Sequence, residues 1–224
     1  MVQFPGSTIG VEYVATSVAT GTANWIAING SYLGLPQVTG RFYGLPPGAT
    51  QAAVLTVTGT LYAVPIFIPN AVTLGTISMS VTTGQTGGKA RGALFYDNGA
   101  GYPGAIVPLT DTGDLDGTGT AVVQKTALTT VLNPGWYWFG SIFKATTTMP
   151  SVIGATATYA NFQNALLGCD TAAHALATSA EVATGISITG QTYPVTDMTT
   201  SFATFPASAA LQLNVTTPIA ALGV

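Results

Sequence analysis

The chain has 224 residues and a mass of 22.7 kDa, enough for one large domain. Surface scaling gives a folded monomer of about 9,500 Å² from an unfolded chain of about 33,000 Å², so a substantial core is available. Charge is the unusual quantity: 5 Lys and Arg and 8 Asp and Glu make only 6% of the residues, with a net charge of -3, where a typical soluble domain carries about 25%. The five cations, Arg41, Lys89, Arg91, Lys125 and Lys144, are scattered along the chain. That excludes a nucleic-acid groove, which needs clustered Lys and Arg.

Two physical readings account for so little charge, and they are compatible. Threonine can make exposed strand faces polar without ions, and a mean hydropathy of +0.46 points to surfaces covered by other subunits. The expectation is a homo-oligomer, with a homotrimer as its form. The chain opens without a basic and then apolar leader, and Thr and Gly interrupt every apolar segment before 18 residues, so no secretion signal and no membrane insertion are expected. The single cysteine, Cys169, excludes an intrachain disulfide.

Taken in order, residues 1–45 are rich in turns, with Gly6, Gly10, Gly21, Gly30, Gly34, Gly40 and Gly44 at nearly regular spacing. Short strands fit residues 11–14 and 25–28. The segment reads as an extended arm or a small β-subdomain, the alternative being an N-terminal addition to the same sandwich. Gly44-Leu45-Pro46-Pro47-Gly48 marks the boundary, and residues 46–224 form the main domain. Strand signals follow at 53–57, 61–68 and 72–81. Pro65 and Pro69 put the second at an edge or near a crossover, and the alternation of the third shifts at Gly75-Thr76, where a bulge would preserve burial.

The most informative stretch is 90–107. Ala93, Leu94, Phe95 and Tyr96 alternate as a half-buried strand, Asp97-Asn98-Gly99 offers a reversal, and Gly101-Tyr102-Pro103-Gly104 repeats the punctuation. A second phrase, 132–143, places the turn Asn133-Pro134-Gly135 before Trp136, Tyr137, Trp138 and Phe139. The two are expected to be neighbours in one sheet. Residues 121–128 resume apolar and Thr content towards the aromatic phrase, strands also fit 185–188, 209–215 and 219–222, and a helix fits 159–167, where Tyr159, Phe162 and Leu166 keep helical spacing. Many short strands at this spacing indicate an all-β fold, an antiparallel β-sandwich or jelly roll with a short helical insertion and an extended N-terminal arm.

These phrases carry a resemblance. Tyr62-Ala63-Val64-Pro65-Ile66-Phe67-Ile68-Pro69, then 89–107, then 132–139, in that order, resemble a β-sandwich module of tailed-bacteriophage structural proteins, usually of tail fibres or other virion-surface parts. Phe205-Pro206 and the apolar segment after it are similar to the end of that module, so the resemblance spans roughly residues 61–224. It implies a non-enzymatic structural or adhesive role on the virion exterior after synthesis in the host cytoplasm. Tail-fibre or baseplate-associated adhesion is favoured, other virion proteins and a host surface glycan being the implied partners. A capsid decoration, or cement, protein is the alternative, which the short chain and the missing coiled coil favour.

Catalytic material is scarce. Any nucleophile needs the one histidine, His174, whose neighbours Cys169 and Asp170 show no orienting third group. Paired carboxylates for glycoside hydrolysis would come from Asp97 or from Asp111, Asp114 and Asp116, all in turns. Asp111, Asp114 and Asp116 with Gly117 roughly mimic a calcium loop, but the EF-hand spacing fails and no distal Glu follows, so no metal and no cofactor are expected. Tyr102 is the candidate ligand-facing aromatic. In a carbohydrate-binding module, Trp25, Trp136 or Trp138 would join it by stacking on sugar rings, although strand aromatics more often fill cores.

Overall fold

The computed structural model describes residues 13–19, 22–27, 37, 39–44, 49–157, 183–194, 196–213 and 216–224. Its first sheet is built on the two expected phrases. Strands β8 (Lys89–Asp97) and β13 (Gly135–Lys144) run antiparallel and pair from Tyr96↔Tyr137 to Lys89↔Lys144. On the other side of β13 lies β5 (Leu61–Ile68), paired from Leu61↔Ile142 to Ile68↔Gly135. Beyond β5 come β15 (Ala183–Ile188) and β16 (Ala210–Leu213), while β9 (Pro103–Ile106) and β10 (Leu115–Asp116) pair with β8.

β5 is therefore an interior strand, which corrects the edge placement read from its prolines. Pairing with β15 covers only Leu61, Tyr62 and Ala63. The Ala63 carbonyl faces β15, lying 2.4 Å from where a Cβ on Gly185 would sit. Two residues on, the Pro65 nitrogen faces the same way, past the last β15 pair. Its missing N–H breaks no ladder bond.

The second sheet is organised on β7 (Thr76–Thr83). One side pairs with β11 (Ala121–Lys125), and the other with β18 (Ala221–Gly223) near the start of β7 and β14 (Ser151–Ala157) near its end. Outside these lie β3 (Phe42–Tyr43) on β18 and β4 (Ala49–Leu55) on β14, which also pairs with β17 (Thr217–Pro218). β3 precedes the Gly44–Gly48 break yet belongs to this sheet, so the sheet reaches into the segment read as an arm. Two ribbons complete the description, β1 (Tyr13–Ala19) with β2 (Thr22–Ala27), and β6 (Val72–Leu74) with β12 (Thr130–Leu132).

The shift foreseen at Gly75-Thr76 is a break between β6 and β7 rather than a bulge within one strand. The Gly75 N–H donates to the Gly223 carbonyl at 2.8 Å, and its carbonyl accepts from the Leu128 N–H at 3.0 Å. Leu74 and Ile77 can then both be buried. The helix expected over 159–167 lies outside the described residues. A helix of four residues, α1 (Met198–Ser201), occurs in the stretch between β15 and β16, capped by the Asp197 side chain, which accepts from the Thr200 N–H.

The core has two parts, one on each face of the first sheet. Between the sheets, Val64, Ile66, Leu94, Phe139 and Phe143 meet Ile77, Met79, Val81, Val152 and Leu222. On the far face, Leu61, Ala63, Ala93, Phe95, Ile106, Trp138, Ile142 and Ile186 pack with Met198, Phe202 and Phe205 from the layer that follows β15. Burial on both faces is why residues 137–139 read as an unbroken apolar run instead of alternating.

Small residues let these aromatic rings lie flat across the strands. A Cβ on Gly140 would sit 2.4 Å from the Phe95 ring, and one on Gly92 would sit 2.5 Å from the Phe139 ring, on the opposite face. Glycine within a strand often marks such close approach. Gly140→Ala is expected to lower stability by about 1–3 kcal/mol, the usual cost of overpacking. Urea unfolding would report it as a lower midpoint with an unchanged slope, and an unchanged midpoint would show that the Phe95 ring is free to move.

Candidate functional site

The polar centre of the molecule starts from a misfit in the sequence. Arg91 stands in a strand whose neighbours are apolar, and it is buried, so an opposite charge must be brought to it. The loop between β9 and β10 supplies two. Arg91 grips Asp111 bidentately, Nε to Oδ1 at 2.9 Å and Nη2 to Oδ2 at 2.8 Å, and its Nη1 reaches Asp114 Oδ1 at 3.3 Å. Nη2 also donates to the Thr196 carbonyl at 2.6 Å, and the Met198 N–H donates to Asp111 Oδ2 at 2.7 Å. The Tyr193 hydroxyl donates to Asp114 at 3.1 Å, and Lys144 Nζ sits 4.5 Å from the centre of the Tyr193 ring.

Electrostatics follow from this packing. Burial pulls the Asp111 carboxyl upward, but hydrogen bonds from Arg91, Met198 and Gly113, with the Arg91 charge, hold it below the usual carboxylate value. Burial, with the Asp114 carboxylate beside it, pushes the Tyr193 hydroxyl far above the usual phenol range. The cluster clamps three segments together: the sheet through Arg91 and Lys144, the acidic loop, and the layer carrying α1.

The calcium-like trio is divided by this arrangement. Asp111 and Asp114 turn to Arg91, whereas Asp116 accepts from the Thr118 N–H at 3.0 Å and hydroxyl at 2.8 Å in its own exposed turn. Among the described residues, no group of three or more His, Cys, Asp or Glu is placed to hold a metal ion. Cys169, Asp170 and His174 lie outside the described residues.

The reversal after β8 is tied to the aromatic strand. Asp97 Oδ1 accepts from the Gly99 N–H at 2.8 Å, Oδ2 accepts from Trp138 Nε1 at 3.0 Å, and Gly99 and Gly101 take φ of +86° and +72°. Tyr102 is half-buried: its hydroxyl lies 3.1 Å from the carbonyl oxygens of both Pro206 and Ala209, and its ring meets Phe205 edge-on at 6.3 Å. It anchors the layer that follows α1. Trp138 is buried in the far-face core, and Trp136 is half-buried against Phe67, with ring centres 5.1 Å apart. The side chain of Trp25 lies outside the described residues.

Sequence reasoning missed Tyr193, Lys144 and the partners of Arg91. A cation inside an apolar strand was the available signal, with 111–116 as the nearest acidic cluster. It also missed a cleft of about 500 Å³ at the second sheet, lined by Phe42, Gln51, Met79, Val122, Ile153 and Ile219 among others. The lining has no ionisable side chain, so it favours shape and apolar contact over charge. No family model matches the chain, and no curated protein matches it.

Proposed function

We propose that this chain is a non-enzymatic structural protein of the exterior of a tailed-bacteriophage particle, present in several self-associated copies. One observation carries the reading. The phrases behind the resemblance are three adjacent strands, β5, β13 and β8, buried on both faces. They form one structural unit in which the aromatic residues pack the core, as a durable particle component requires. Arg91 and Lys144 beside them likewise hold layers together.

Tail-fibre or baseplate-associated adhesion is the first placement, following the resemblance. Capsid decoration is the second, and the anchoring of Tyr102 against Pro206 and Ala209 favours it, because an adhesin would turn that aromatic outward. Immunogold labelling of purified particles with antibody against this chain tests both. Label at the tail tip supports adhesion, label over the shell supports decoration, and particles that lack the protein overturn the proposal.

A further inference from the structure

We propose that β4 is a self-pairing edge, joining two copies of the chain antiparallel about a two-fold axis near Ala53, so that the second sheet continues across the pair. The contact rests on the self-association in the proposed function and gives it a location.

β4 pairs with β14 along its whole length, from Ala49↔Ala157 to Leu55↔Ser151, and among the described residues with no other strand. The Thr56 N–H donates to the Pro150 carbonyl at 3.2 Å. Antiparallel ladders alternate, so Val54 and Ala52 also bond towards β14, and Gln51, Ala53 and Leu55 turn their N–H and C=O groups to the open side. Three residues whose backbone groups pair with no described strand are a template for another strand.

Edges not meant to pair are blunted by Lys, Pro, inward charges or brevity. β10 has only two residues and ends on Asp116, and β11 ends on Lys125. β4 has none of these devices. No ionic side chain occurs anywhere between Arg41 and Lys89, and no proline between Pro47 and Pro65. Leu55 and Val57, at the end of the strand, are 59% and 54% exposed.

Charge selects the partner. A different protein is usually steered and registered by complementary charges, and this edge offers it none. A second copy needs the reverse condition, since two-fold pairing sets the strand against its own reversed sequence. An ionic residue on the axis would then meet its own like charge about 5 Å away. An axis at Ala53 pairs Gln51 with Leu55 of the second copy and Ala53 with its own mate, giving about six backbone hydrogen bonds.

A two-fold contact makes a dimer, where the sequence reading expected a homotrimer. The test is the solution mass of the full chain by light scattering, for the parent, Ala53→Pro and Ala53→Cys, all in a Cys169→Ser background. Expected are a parent of twice the chain mass and an Ala53→Pro variant of half the parent's mass that still melts cooperatively, because the proline removes only an outward N–H. Oxidised Ala53→Cys should form a disulfide-linked dimer, since paired Cα atoms lie about 5.5 Å apart. This last variant decides the matter if the proline variant does not fold. A parent dimer that survives Ala53→Pro, or an Ala53→Cys dimer that does not cross-link, overturns the contact and leaves self-association standing. A monomeric parent overturns both, and the particle-labelling experiment then judges the virion reading alone.

Discussion

Arg91→Met is expected to destabilise the protein by about 3–5 kcal/mol, because it leaves the Asp111 carboxylate enclosed without its counter-charge. The side chain of Asp111 is only 16% exposed, so water cannot replace the guanidinium. Adding Asp111→Leu should recover part of the loss, as whole-pair replacement often does. Recovery should stay incomplete, since the Met198 and Gly113 N–H groups lose their acceptor. Chemical denaturation of the two variants measures both numbers, and equal stability of parent and Arg91→Met would show that the clamp contributes nothing. A pH effect belongs to the same pair. Asp111 titrates in the folded state below its ordinary value of 3.8, so the unfolded chain binds the proton more readily. The stabilisation is complete above that value and is lost as pH falls through the lower folded one. In Arg91→Met this acid-side loss should shrink.

Trp138→Ala is expected to cost about 3–5 kcal/mol, the range for emptying a large aromatic site. The ring is fully enclosed on the far face of the first sheet, in the same core part as Phe95 and Ile142. Its Nε1–H also satisfies Asp97, so a second and smaller loss follows from the turn. Trp138→Phe separates the two: it keeps most of the packing and should cost about 1.5–3 kcal/mol, the value of one hydrogen bond to a charged group. Thermal melts of both variants check the order. If Trp138→Ala melts with the parent, the ring is not part of the core.

Legibility in the sequence followed the range of the interaction that decides each feature. β5 was placed at its observed bounds, and β8 and β13 as neighbours, because turns at Asp97–Gly99 and Asn133–Gly135 and the apolar runs beside them are local signals. The closing strand expected over 219–222 is β18, displaced by a residue or two, whereas β3, of two residues, is a strand only because β18 supplies its partner, so no local pattern announces it. Gly75 was seen as a disturbance, but its resolution depends on Gly223 and Leu128. The aromatic run was legible as a strand, whereas its burial on both faces depends on Met198, Phe202 and Phe205 far downstream. For the same reason Arg91 was read only as one of five scattered cations, and Asp111 and Asp114 as turn residues.

The clamp also bears on the order in which the molecule can form. Arg91 and the Thr196 carbonyl are 105 residues apart, and β7 completes its flank only when β18 arrives. Non-local closures of this kind are paid in chain entropy before they return contact energy, which places such folds among the slower ones. Until the downstream layer docks, Arg91 has only its acidic loop, and the far face of the first sheet stands open with Phe95 and Trp138 uncovered. A growing or partly folded chain therefore exposes this apolar face until late, and docking of the layer that carries Met198, Phe202 and Phe205 is the event that ends that exposure.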